Sequence, residues 1–163
     1  MAVWIAGCTS LKETNPQSSL SGRYVEPRDP DLTEVYELIG NEEFEFFPDG
    51  KAIYRWIHSK KGRDLILKFS SVPIVTERRG GKKVYVTKDV GTWRIKGDKI
   101  IYQDDGKPAE PLLVDFFLAT FNPKAPRANL SSRHVFATDT NGDLLRIPPR
   151  GYPYYAGRFV KQR

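Results

Sequence analysis

The chain predicts a mainly β fold: an antiparallel up-and-down barrel or a strongly curved sheet, with one or two short helices. Three observations carry this. Tyr, Phe, Val and Ile are common and alanine is scarce, a balance that suits pleated, half-buried surfaces. Short runs of alternating apolar and polar residues recur from residue 22 onward, separated by turn sequences. The 13 glycines and 12 prolines are spread along the chain, which favours many turns over long helices. A length of 163 residues suits one domain, and a core of that size needs no disulfide. The single cysteine excludes an internal one.

Gly22-Arg23-Tyr24-Val25 opens the domain as a strand, and Pro27 and Pro30 break it. Leu32, Val35, Tyr36 and Ile39 lie at helical spacing, so a short helix is expected over 32–39, with Asp31 as N-cap and Gly40 as its stop. The clearest hairpin follows. Phe44 and Phe46 alternate with glutamates, Pro48-Asp49-Gly50 turns the chain, and Lys51 to Ser59 returns. On that return strand Ala52, Tyr54, Trp56 and His58 point one way, and Ile53, Arg55 and Ile57 the other. Lys61-Gly62 reads as a turn, and the stretch Arg63 to Thr76 as a strand with an edge or bulge at Pro73. Gly80-Gly81 turns again into Lys83 to Thr87. Gly91 to Ile95 pairs with Lys99 to Tyr102 across Gly97-Asp98, where a positive φ is expected at the glycine. Leu112 to Phe121 is the most apolar run and fits a buried strand or a short helix. Arg133 to Thr138 and Leu144 to Ile147 form a further hairpin, and Tyr154 to Val160 closes the domain. The count is eight or nine strands with short links.

Two of these hairpins, FEFFPDGKAIYRW (Phe44 to Trp56) and VGTWRIKGDKIIYQ (Val90 to Gln103), resemble the small lipocalin-like domains of bacterial lipoproteins. The resemblance implies a barrel or strongly curved sheet and carries no activity with it. If the barrel is hollow, the inward face of Phe44, Phe46, Tyr54, Trp56, Trp93 and Tyr102 lines a pocket for an apolar or amphipathic ligand. If it is filled, the same residues are its core.

Near the start, Ile5-Ala6-Gly7-Cys8 resembles the lipobox of bacterial lipoproteins. In that motif, small residues precede the cut and the cysteine becomes the acylated first residue. Residues 1–8 are then a signal remnant with Cys8 as the lipidation site. Residues 9–21, rich in Ser, Thr, Asn, Gln and Pro, read as a flexible tether, and 22–163 as a single β domain. Thr9 is not an aspartate, and the resemblance therefore implies the bacterial outer membrane, facing the periplasm. The competing reading of Cys8 is a small buried hydrophobe.

The formal charge is +6. Lys60, Lys61, Arg78, Arg79, Lys82 and Lys83 are candidate contacts to an anionic surface; the plain alternative is that loop-tip cations block edge pairing. No metal site is expected, because His58 and His134 are the only histidines, and His58 is expected at the surface or rim. A triad of His134, Ser131 or Ser132, and Asp139 lacks a nucleophile-elbow sequence. Asp139 to Asp143 begins like a calcium loop but has Leu144 at the sixth position and Arg150 at the twelfth; an Asx hairpin turn is expected instead. Tyr152, Tyr154, Tyr155 and Phe159 are expected to close the barrel core rather than to stack on sugars or bases. The functional expectation is an envelope lipoprotein acting as a binding or structural module, without cofactor or catalysis. Its partner is a membrane reached through the lipid anchor, with anionic lipid, glycolipid or an envelope protein as further partners. The alternatives are an envelope hydrolase and a basic nucleic-acid-binding β domain.

Overall fold

A computed structural model describes residues 16–33, 36–37, 40–69, 71, 73–105, 133–150 and 156–163. Cys8, the apolar run 112–121, Ser131, Ser132, Tyr152, Tyr154 and Tyr155 lie outside the described residues. The strands are β1 (Gly22–Val25), β2 (Asn41–Phe46), β3 (Lys51–His58), β4 (Val75–Arg79), β5 (Lys82–Lys96), β6 (Lys99–Asp104), β7 (Arg133–Thr138), β8 (Leu144–Arg146) and β9 (Gly157–Lys161). All are antiparallel members of one sheet, and a pairing of β3 with β5 closes it. The closed ring therefore has eight strands, β1-β2-β3-β5-β6-β7-β8-β9, each beside its neighbour in the chain apart from the interposed β4. β4 pairs with β5 alone and stands outside the ring.

Alternation builds the interior. In β3 the residues facing inward are Ala52, Tyr54, Trp56 and His58, all buried, and the expected facing is observed. β2 adds Phe44 and Phe46, β5 adds Trp93, β6 adds Ile100 and Tyr102, and β7, β8 and β9 add Phe136, Leu144 and Phe159. Phe44 sits at the centre: its ring lies 4.6 to 6.2 Å from those of Phe46, Tyr54, Tyr102, His134, Phe136 and Phe159. Gly91 marks the point where β5 passes from β3 toward β6. A Cβ there would lie 2.2 Å from the Gln103 carbonyl oxygen, so only glycine allows that crossing.

The turns 47–50, 97–98 and 139–143 gather at one end of the ring. The long connections 26–40, 59–74, 105–132 and 147–156 leave from the other. Gly50 and Gly97 have φ of 85° and 62°, the positive values expected at those turns. Asp139 accepts from the backbone N–H groups of Asn141 and Asp143, which is the expected Asx turn.

Three sequence expectations change. The stretch Arg63 to Thr76, expected as a strand, begins as a helix, α2 (Lys60–Phe69). Ser59 caps it: its hydroxyl accepts from the Gly62 N–H at 3.1 Å, and its carbonyl accepts from the Arg63 N–H. Within the expected tether 9–21, Pro16–Leu20 forms a one-turn helix, α1. Its reason is local packing. Leu20 packs against the core and accepts the Tyr24 hydroxyl at 2.8 Å, while Lys161 holds the Ser19 carbonyl. Around 32–39, a 3-10 turn at Pro30–Leu32 capped by Asp29, not Asp31, leads the chain in. Thr33, Tyr36 and Glu37 are helical, and Gly40 ends the segment with a bond to the Tyr36 carbonyl.

Phe44→Ala is expected to lower unfolding free energy by about 3–5 kcal/mol, since its cavity would sit where rings from five strands meet. A shift of the urea midpoint without a change of slope measures it.

Candidate functional site

Packing explains where the expected pocket residues go. Phe44, Phe46, Tyr54, Trp56, Trp93 and Tyr102 are brought together inside the ring, each 6 % exposed or less. Phe44 stacks on Tyr54 and Phe46 on Trp93, with centroids 4.6 and 4.9 Å apart. The Trp93 indole N–H donates to the Phe47 carbonyl at 2.7 Å. These side chains fill the space between the described strands with one another. Near the long-loop end, the Trp56 indole N–H and the Tyr102 hydroxyl are buried without a hydrogen-bond partner. Burial and the nearby Asp104, Asp89 and Asp105 push the Tyr102 hydroxyl far up.

That end of the interior is polar. Glu42 on β2 faces inward at the level of Trp56. Arg146 on β8 grips it with two hydrogen bonds of 2.7 Å, and the Tyr54 hydroxyl donates a third at 2.5 Å. Both charged groups are buried, at 3 % and 7 % exposure. The Arg146 guanidinium lies 5.1 Å over the Phe159 ring. His134 is enclosed by Phe44, Tyr54 and Tyr102. Burial pushes the Glu42 carboxyl up. The Arg146 charge and hydrogen bonds, with His134 and Tyr54, outweigh it and hold the group below the usual carboxylate range. Glu26, just past β1, takes the opposite course. Burial and the Glu42 charge raise it to about 7, against the pull of Arg146 and the Glu42 N–H. The guanidinium thus keeps Glu42 ionised, and burial beside that charge leaves Glu26 titrating near neutrality.

Such a pair has the charge states of an acid and a base at neutral pH. Its ionised member, however, is locked in a bidentate strut between β2 and β8. The triad composed from the sequence is not assembled: His134 faces the core near the long-loop end, whereas Asp139 caps the turn at the other. His58, expected at the rim or surface, is buried instead. It bonds the Thr87 hydroxyl at 3.1 Å and stacks beside Trp56, because the inward register of β3 extends to its last residue. Among the described residues, no three His, Cys, Asp or Glu side chains gather as metal ligands.

The basic candidates divide. Lys60 and Lys61 are exposed on α2, and Arg78, Lys82 and Lys83 on the β4–β5 hairpin. Arg79 is engaged. It pairs with Glu77 at 3.0 Å and with Glu43, a buried glutamate on the outer face of β2 that also meets Arg55 at 3.1 Å and Arg23 at 4.0 Å. A shallow cleft of about 210 Å³ lies on the outer wall of β5, β6 and β7, lined by Thr92, Trp93, Arg94, Ile101, Gln103 and Arg133.

The Glu42–Arg146 pair escaped the sequence reading, because its members are separated by 104 positions. The one available signal was a charged residue at an inward position of each strand.

Arg146→Met is expected to cost about 3–5 kcal/mol by leaving the Glu42 charge buried alone. Glu26 has the opposite sign. Its folded value of about 7 lies above the unfolded one near 4.5, so its contribution is complete below pH 4.5 and is lost as pH rises through 7. Glu26→Gln should therefore exceed the parent in stability by about 1–3 kcal/mol at pH 8 and match it at pH 4, allowing for partial solvent screening. Urea unfolding at the two pH values tests this.

No family model, curated protein or solved structure matches the chain.

Proposed function

We propose that the chain is an envelope lipoprotein, anchored in a bacterial membrane through an acylated Cys8, whose barrel acts as a non-catalytic binding or structural module. The observation that supports it best is the close-packed interior. The inward aromatic face that would line a ligand pocket is occupied by its own side chains. A ring filled in this way works through its outer surface and rims, which favours a partner over an enclosed apolar ligand. The sequence Ile5-Ala6-Gly7-Cys8 supports the anchor, and Thr9 in place of an aspartate supports its outer-membrane location. The chain enters the barrel at the short-turn end, so an anchor before it would leave the long-loop rim free.

Mass spectrometry of the full chain made in a bacterial host tests the anchor. The expected product begins at Cys8 and carries acyl chains; an unprocessed, unacylated chain overturns it. Titration with an environment-sensitive apolar dye tests the binding mode. No saturable one-to-one binding to the native barrel is expected, and a saturable enclosed site would return the reading to a ligand carrier.

A further inference from the structure

The net charge of the protein is not spread over its surface. Residues 59–83, the segment inserted after ring strand β3 together with the first two residues of β5, which precede its pairing with β3, hold eight of the 26 basic and two of the 20 acidic residues. The insert therefore carries six net positive charges, the whole of the chain's +6, and the remainder is balanced at 18 of each sign. Both acids in the insert are already paired, Asp64 with Arg63 and Glu77 with Arg79. Lys60, Lys61, Lys68, Arg78, Lys82 and Lys83 are exposed, and none has an ion-pair partner among the described residues.

The arrangement works against stability. In the β4–β5 hairpin Arg78 stands directly opposite Lys83, and Arg79 opposite Lys82. Like charges in directly opposed positions are destabilising, and only Arg79 is relieved by acids. The helix and the hairpin form one surface. The Tyr85 ring takes the Arg63 guanidinium of α2 at 4.2 Å and the Lys83 ammonium of the hairpin at 5.6 Å. On α2, Gly62 and Ile66 are buried, while Lys60, Lys61, Asp64, Leu67 and Lys68 fall on one helical face and are exposed. Leu67, 56 % exposed, is the most exposed of the large apolar residues among those described and stands among the lysines.

We propose that the 59–83 insert is a docking element for an anionic lipid surface. Its unpaired cations meet the headgroup charge, and Leu67 enters the boundary beneath. Lysines around an exposed leucine suit a bilayer interface; an acidic polymer would use the cations and leave Leu67 idle. The proposal deepens the reading of the barrel exterior as the working surface, and it holds with or without acylation of Cys8.

The test uses the full chain carrying Cys8→Ser, so that no acyl chain contributes. It is co-sedimented with vesicles of phosphatidylcholine alone or mixed with phosphatidylglycerol. Binding is expected only to the mixed vesicles and is expected to weaken with salt over a Debye length of about 8–10 Å. The double variant Lys82→Ala, Lys83→Ala should lower the partition coefficient about twenty- to thirtyfold, at about fivefold per lysine near the surface. The matched double variant Lys96→Ala, Lys99→Ala, at the short-turn end, should change it less than about twofold. Leu67→Ser should lower it about tenfold. Removing Lys82 and Lys83 should leave the melting temperature unchanged or raised, which separates lost docking from lost folding. Equal losses in the two double variants, equal binding to neutral vesicles, or binding to RNA or an acidic polysaccharide without binding to vesicles would each overturn the proposal. Acylation at Cys8 is read by mass alone and stands or falls separately.

Discussion

An eight-stranded ring has an interior only wide enough for side chains, and this constraint governs the molecule. Once β3 pairs with β5, every inward position must be occupied by a group of suitable volume. Phe44, Phe46, Tyr54, Trp93, Phe136 and Phe159 supply that volume and meet ring to ring. Small residues appear where the wall needs them. Ala52 faces inward beside Gly91 on the neighbouring strand, and Gly91 lets β5 approach the Gln103 carbonyl closely enough to begin its pairing with β6. Closure, filling and strand exchange are one geometric problem with one set of residues.

The same constraint makes the Glu42–Arg146 pair consequential. Charges in so narrow an interior cannot be reached by bulk water, so each must find its partner inside. Desolvating the pair costs several kcal/mol per ion, and the bidentate geometry with the Tyr54 hydroxyl offsets that cost. The pair links β2 to β8 across the interior, whereas by the shorter way round the ring they are linked through β1 and β9. A slip of one residue in β1 or β9 would turn that strand's inward aromatic, Tyr24 or Phe159, outward and shift the charges apart. The strut thus ties β2 to β8 at the end of the barrel from which the long connections leave.

What the sequence made legible follows from range. Turn chemistry is local, so the hairpins at Gly50, Gly97 and Asp139 and the inward face of β3 could be read directly. The barrel class followed from them. α2 was misread because Gly62, beside Lys61, looks like a turn, while its real signal was the Ser59 cap one residue earlier. The six aromatics could be grouped by alternation, but whether they surround a space or fill it depends on the ring's diameter, which no local pattern encodes. The polar end of the interior was illegible for a different reason. Alternation places Glu42 on the face of Phe44 and Phe46, but only ring closure brings Arg146 to it. His58 was placed at the rim because nothing in the sequence shows that Thr87 lies across from it as a partner.

The insert between β3 and β5 shows how a filled barrel can still differentiate. The ring closes through β3 and β5 themselves, and β4 adds pairing only to the outer edge of β5. Changes to α2 or β4 therefore load a hairpin and a helix, not the closure on which the core depends. Opposed cations that would weaken a ring strand are tolerated where the ladder is peripheral, and Arg79 turns back to the barrel and meets Glu43 among Arg23 and Arg55. That contact holds the hairpin against the wall while its remaining cations face solvent. The fold thereby separates two tasks that compete within a single sheet: a charge-balanced ring whose interior is committed to packing, and an appended charged surface whose composition the packing does not restrict.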